Sequence, residues 1–239
     1  MAAIPTRQLP LGPRRAIAGE PGIPRFPTTD PFRDPISIAV VDLIAERGYE
    51  DVNEHDIIRR AGVSTDEFRR RFADKQDCTI ATVKATMDVF RWTLEVAYSS
   101  GCDWQSGLRA SAWAAADYLD AHPTIVQVVA VDLLAARNEM LRVVREDALM
   151  FSAFLIERGR ATAPDPEVVP AGAGLMAMGS IAQLLTHRLH KGGPVEPHEM
   201  VRPMLYMAVR TYRDEETAKV ELHAPRPPGS FVVRPTAEN

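Results

Sequence analysis

Two cysteines in 239 residues, Cys78 and Cys102, have no C-x-x-C or Cys/His spacing around them, so there is no disulfide framework or zinc site to read. Long apolar runs are also missing. The most apolar stretch, AGAGLMAMGSIAQLL (171–185), is interrupted by Ser180 and Gln183 and is too short to span a bilayer comfortably. The N-terminus has basic residues but no continuous apolar segment of the signal-peptide kind. A basic excess is absent too: 28 Lys and Arg face 32 Asp and Glu, net −4, so any DNA contact has to come from a local patch. We expect a soluble, cytoplasmic protein with reduced thiols. Catalytic signatures are lacking as well. No Ser or Cys nucleophile has a placed base, and the GAG at 172–174 follows no strand. His187 and His190 in THRLH are spaced to share a helix face but have no third ligand nearby. The expectation is a protein that is not an enzyme, with no cofactor and no metal.

Proline and glycine punctuate the chain. Residues 1–35 hold eight prolines and no periodic apolar pattern, which reads as a disordered arm. Its five arginines against three acids leave it net +2, suited either to a phosphate backbone or to an inert tail. Residues 220–239, with four prolines after position 222, read as a second disordered end. Between them helical periodicity dominates and strand alternation does not persist, so the fold class is all-α. Apolar residues Ile36, Ala39, Val40, Leu43 and Ile44 share one face of a helix that Gly48 ends. Asn53 and Ser64 each cap a short helix, and the turn AGVS (61–64) lies between them. A long helix is predicted over 75–99, followed by helices over 104–121, 123–136, 138–159, 166–191 and 197–218.

The short third helix carries STDEFRRRFADK. With the direction between Phe68 and Phe72 taken as inward, a step of about 100° per residue places Arg70 outward, Asp66 and Glu67 on the same side, and Arg69 and Arg71 on the flanks. Such a face can present guanidinium groups to guanine edges or phosphates and a carboxylate to a cytosine amino group. Asp66–Arg70 and Glu67–Arg71 are also i,i+4 pairs that stabilise a bare surface helix by about 0.2–0.5 kcal/mol each. Both readings stand on this helix alone.

Gly48-Tyr49, Asp56-Ile57, Ala61-Gly62-Val63-Ser64 and Phe72-x-x-Lys75 occur in one run. Over residues 36–80 this run resembles the N-terminal domain of the tetracycline-repressor (TetR) family of transcriptional regulators. The resemblance implies a three-helix domain with a helix-turn-helix over 36–80, joined by a long helix to a helical ligand-binding and dimerisation domain over 81–219. Carried over by position, it implies base and phosphate contacts at His55, Thr65, Asp66, Glu67, Arg69 and Arg70, with backbone contacts at Arg71 and Lys75. The sequence departs from the family at Asp66, where Gly or Pro is common, at Glu67, where a small hydroxyl residue is common, and at Arg69, where an aromatic is common. Residues 36–77 carry seven basic and ten acidic residues, net −3, which is acidic for a DNA-binding module.

The resemblance also implies a sensor: a ligand cavity among the middle helices and a dimer interface from the last two. Met87, Phe90, Trp104, Trp113, Tyr118, Phe151 and Phe154 are candidates to line that cavity, with Arg91 to fix a polar group; packed core is the competing reading. Ile181, Leu184, Leu185, Met204, Met207 and Ala208 lie on wide apolar faces that fit an isologous interface, or burial within one subunit. The expected partners are a double-stranded DNA operator, a small hydrophobic or amphipathic effector and a second copy of the chain, with no membrane. The expected function is a ligand-responsive homodimeric regulator, with a dimeric small-molecule-binding protein of weak or lost DNA binding as the alternative.

Overall fold

Asp34 starts the first helix. Its carboxylate accepts the Ser37 backbone N–H at 3.2 Å and the Ser37 hydroxyl at 2.7 Å, and Pro35 takes the first helical position, where no N–H is needed. A computed structural model of the chain describes residues 30–129, 139–190 and 196–228. In it α1 spans Pro35–Arg47 and buries Ile36, Ala39, Val40, Leu43 and Ile44 against Ile57 of α2 (Glu54–Ala61) and Phe68 of α3 (Thr65–Arg71). Burying side chains of this size stabilises the fold by about 1.5–3 kcal/mol each.

From Asp74, whose side chain accepts the Asp77 N–H at 2.8 Å, α4 runs Lys75–Ser99. At 1.5 Å per residue it is about 37 Å long. Its inner face carries four buried threonines, Thr79, Thr82, Thr86 and Thr93. Three of them return their hydroxyl to the carbonyl four residues back, and Thr82 donates to Ser37, so no hydroxyl is buried without a partner.

The rest is helical: α5 (Trp104–Ala121), α6 (Pro123–Gln127), α7 (Glu139–Glu157), two short 3-10 turns at Arg158–Thr162 and Pro166–Val168, α8 (Ala173–His190), α9 (Pro197–Arg210) and α10 (Glu215–His223). No strand occurs among the described residues, and no helix there is long and apolar enough to cross a membrane. A second core joins α5, α7, α9 and α10 through Trp104, Leu108, Ile156, Val201, Leu205, Val209 and Tyr212. Gly159 is required here, since a Cβ on it would lie 2.3 Å from the Trp104 ring.

Several boundaries differ from those that periodicity predicts. The helix expected over 166–191 starts at Ala173, because Pro166 and Pro170 leave only a 3-10 turn before it. The helix expected over 197–218 divides at Arg210: Asp214 accepts the Thr217 N–H at 2.8 Å and begins α10 afresh. Proline content assigns 30–35 to the arm and 220–239 to the tail, yet residues 30–35 enter the fold through Asp34 and residues 220–228 dock on α5. Glu221, fully buried, accepts from Arg109 at 2.7 and 2.8 Å and from Gln105, and Arg226 pairs with Asp117 while lying over the Trp113 ring. Residues 1–29, 130–138, 191–195 and 229–239, which the sequence reads as arm, helix ends with the breaks between them, and tail, lie outside the described residues.

Glu221→Ala leaves the inward-facing Arg109 guanidinium without its partner and is expected to lower stability by about 3 kcal/mol in urea denaturation.

Candidate functional site

The first candidate surface is the α2–α3 unit. Asn53 accepts the Asp56 N–H at 3.0 Å to start α2, and Ser64 accepts the Glu67 N–H at 3.1 Å to start α3. Gly62, at φ 68° and ψ 25°, makes the left-handed turn between them, and Ile57, Phe68 and Phe72 close the unit from inside. Thr65, Asp66, Arg69, Arg70 and Arg71 are exposed on α3, Glu67 is half-buried, and His55 is exposed on α2.

The charges pair differently from the i,i+4 expectation. Neither Asp66–Arg70 nor Glu67–Arg71 forms an ion pair in the structure. Arg69 reaches Glu54 at 2.7 Å and the Ala73 carbonyl at 2.7 Å. Arg71 donates through both terminal nitrogens to Asp34 at 2.8 and 2.9 Å. Burial pushes the Asp34 carboxyl up, but the hydrogen bonds from Arg71 and Ser37 outweigh it and hold the group below its ordinary value. Lys75 donates to the Tyr49 and Val52 carbonyls at 2.9 and 2.7 Å and lies over the Tyr49 ring, where it ties the loop before α2. Of the cationic DNA-contact candidates, Arg70 is the one with no hydrogen bond or ion pair to any described residue. It is therefore the guanidinium free to meet a ligand without first breaking an internal contact.

The second candidate site is a cavity of about 230 Å³, lined by α4 through α9 and partly open to solvent. Met87, Phe90 and Leu94 form one wall, Leu108, Ala112, Ala115, Ala116 and Leu119 another, and Ile125, Leu155, Ile181, Leu185, Met204 and Ala208 contribute to the rest. Among the described residues its lining contains no charged side chain, and its polar groups are Ser111, Ser152, Thr186 and Tyr118. Tyr118 donates to the Thr86 carbonyl at 3.1 Å and Thr186 to that of Ala182. Burial pushes the Tyr118 phenol up, so it stays neutral. The described lining suits an apolar group and offers no counter-charge to an ionic one.

Of the cavity candidates read from sequence, Met87, Phe90 and Tyr118 line this space. Trp104 lies in the second core, with its indole N–H donating to the Leu155 carbonyl at 3.1 Å, and Trp113 lies beneath Arg226. Arg91 pairs with Asp88, while Phe151 and Phe154 are half-buried outside the lining. Of the interface candidates, Ile181, Leu185, Met204 and Ala208 line the cavity, while Leu184 and Met207 are 43% and 61% exposed. The wall that aromatic content does not reveal is the alanine-rich face of α5. A run of small side chains in ASAWAAADYL is the signal for it, because their missing volume makes the space.

No protein-family profile matches the chain. No curated protein is similar to it at a significant level. Among solved structures it is similar to the fatty acid degradation regulator FadR of Bacillus halodurans, at 20% identity and a TM-score of 0.64, covering 77% of this chain and 97% of that one. It is also similar to a transcriptional regulator FadR of Bacillus subtilis in complex with stearoyl-CoA, at 20% identity and a TM-score of 0.61, covering 75% of this chain and 98% of that one. At this identity the likeness establishes the fold: an N-terminal three-helix unit joined to a helical C-terminal domain.

Gly62→Ala, which forces a Cβ into the left-handed region, is expected to destabilise the α2–α3 unit by about 1 kcal/mol, read as a lower denaturation midpoint.

Proposed function

We propose that the chain is a ligand-responsive, homodimeric DNA-binding transcriptional regulator, a repressor released from a pseudo-palindromic operator by an effector with a long apolar chain. The observation that carries this is the pairing of two sites on one fold, an exposed helix-turn-helix and an apolar cavity with no charged side chain among its described lining residues. A fatty acyl group has the chemistry for that lining, and the Bacillus subtilis structure of the same fold holds stearoyl-CoA. In this reading the acyl chain lies against Phe90, Leu94, Leu119 and Met204, while its polar head stays outside the lining. Arg70 meets a base edge or phosphate, with Thr65, Asp66 and Arg69 beside it. Leu175, Met176, Leu184 and Met207, all exposed on α8 and α9, supply apolar surface for a second copy. Two copies then set their α3 helices in successive major grooves about 34–36 Å apart.

The net −3 of residues 36–77 favours a second reading, a dimeric acyl-binding protein of the same fold with weak DNA binding. Fluorescence anisotropy on DNA upstream of the protein's own coding sequence, across a salt series and with or without stearoyl-CoA, separates the two. The regulator reading expects sequence-selective binding, weakened about tenfold or more by Arg70→Ala with no loss of thermal stability, because Arg70 has no hydrogen-bond or ion-pair partner among the described residues. Ala115→Phe, which fills the cavity from α5, is expected to keep DNA binding and remove the response to stearoyl-CoA. Absence of DNA binding at low salt, with stearoyl-CoA still bound, overturns the regulator reading in favour of the second.

A further inference from the structure

The segment preceding α1 touches both sites. Asp30 folds it into a compact turn: its carbonyl accepts from the Arg33 and Asp34 N–H groups and its carboxylate from the Phe32 N–H at 3.0 Å. At one end of the turn the Phe32 ring stacks on His122, with centroids 4.0 Å apart and planes 14° apart, and meets Tyr118 edge-on at 6.2 Å. Tyr118 in turn packs on Phe90 at 5.1 Å, and both of those rings line the cavity. At the other end Asp34 caps α1 and holds Arg71 of α3 through two hydrogen bonds. Only one residue separates Phe32 from Asp34. The cavity wall and the recognition helix are therefore joined by a path from Phe90 through Tyr118, Phe32 and Asp34 to Arg71, separate from the covalent path along α4.

We infer that residues 30–34 are a coupling strap, in which the seating of Phe32 between His122 and Tyr118 sets the Asp34–Arg71 clamp and so the position of α3. This rests on the regulator reading above and adds the residues that carry its signal. Tyr118 is the shared part, because it forms the cavity wall on one side and the seat of Phe32 on the other. A chain lying against Phe90 and Tyr118 meets the two seatings of Phe32 unequally, and that difference is what allows occupancy to shift the equilibrium. The turn's internal hydrogen bonds make it stiff, so displacement at Phe32 reaches Asp34 without being absorbed by slack backbone. Arg71 is the output: clamped on Asp34 it pins α3 to the start of α1, and unclamped it leaves α3 free to change its angle on DNA.

The test uses the full chain, Phe32→Ala and Asp34→Asn, the latter retaining a helix-capping side chain while losing the charge that holds Arg71. Hydrogen exchange is followed in peptides covering 34–40, 65–71, 104–116 and 118–122. The strap predicts that Phe32→Ala speeds exchange about tenfold in 34–40 and 65–71 while 104–116 is unchanged. A change confined to 118–122 overturns it. In the DNA-binding assay, both variants are expected to bind stearoyl-CoA as the parent does, since neither residue lines the cavity. Both should also lose about tenfold of the parent's stearoyl-CoA-dependent drop in DNA affinity. A full response in Phe32→Ala overturns the strap while leaving the regulator reading intact. If the parent itself shows no response, the regulator reading fails, and the exchange result alone decides whether residues 30–34 hold α3.

Discussion

One unbroken helix, Lys75–Ser99, is a member of both halves of the molecule. Its first turns place Cys78 and Val83 in the core beneath α1, α2 and α3, and its later turns give Met87, Phe90 and Leu94 to the cavity wall. A helix of this length transmits displacement only if its hydrogen-bond ladder is continuous, and its buried threonines bear on that. Each bonds within the helix or to Ser37, so the inner face carries no unsatisfied hydroxyl that would draw water into the ladder. The position of α3 relative to the cavity, and the relation of both to the second core, depend on this element running unbroken from Lys75 to Ser99.

Charge in the N-terminal unit serves internal geometry before it serves any ligand. Arg69, Arg71 and Lys75 are each held by neighbours: the carboxylates of Glu54 and Asp34 and the carbonyls of Tyr49, Val52 and Ala73. These contacts orient the two short helices, neither of which is long enough to be stable in isolation. The acids of that segment are partly paired, since Glu46, Glu54 and Asp56 meet Arg60, Arg69 and Arg59. Arg70, beside Asp66, is the exposed α3 arginine without a hydrogen-bond or ion-pair partner among the described residues.

Local signals in the chain were legible wherever a side chain acts on its own backbone. Asn53, Ser64 and Gly62 sit where capping and left-handed turn chemistry demand them, and the α1 apolar stripe is buried as its period requires. Reading failed where a signal depends on distant partners. Proline content marked residues 30–35 and 220–228 as tails, but Asp34 meets Arg71 and Glu221 meets Arg109, pairs separated by 37 and 112 residues. Aromatic content pointed to Trp104 and Trp113 as cavity walls, and they instead pack around Gly159, Tyr212 and Arg226. The alanines of α5 form the wall, because a cavity is made by side chains that are too small to fill it.

Sequence alone determined the helical class, the helix-turn-helix and most helix starts, because these follow from spacing and from contacts within four residues along the chain. Tertiary structure decided which arginine of α3 lacks a partner among the described residues, which apolar residues line the cavity, and that the segment before α1 reaches from Tyr118 to Arg71. Those outcomes depend on how helices far apart in the chain cross and on which charges they bring within hydrogen-bonding distance. No periodicity encodes that, since one apolar stripe serves equally for packed core, cavity wall or subunit face until its neighbour is in place.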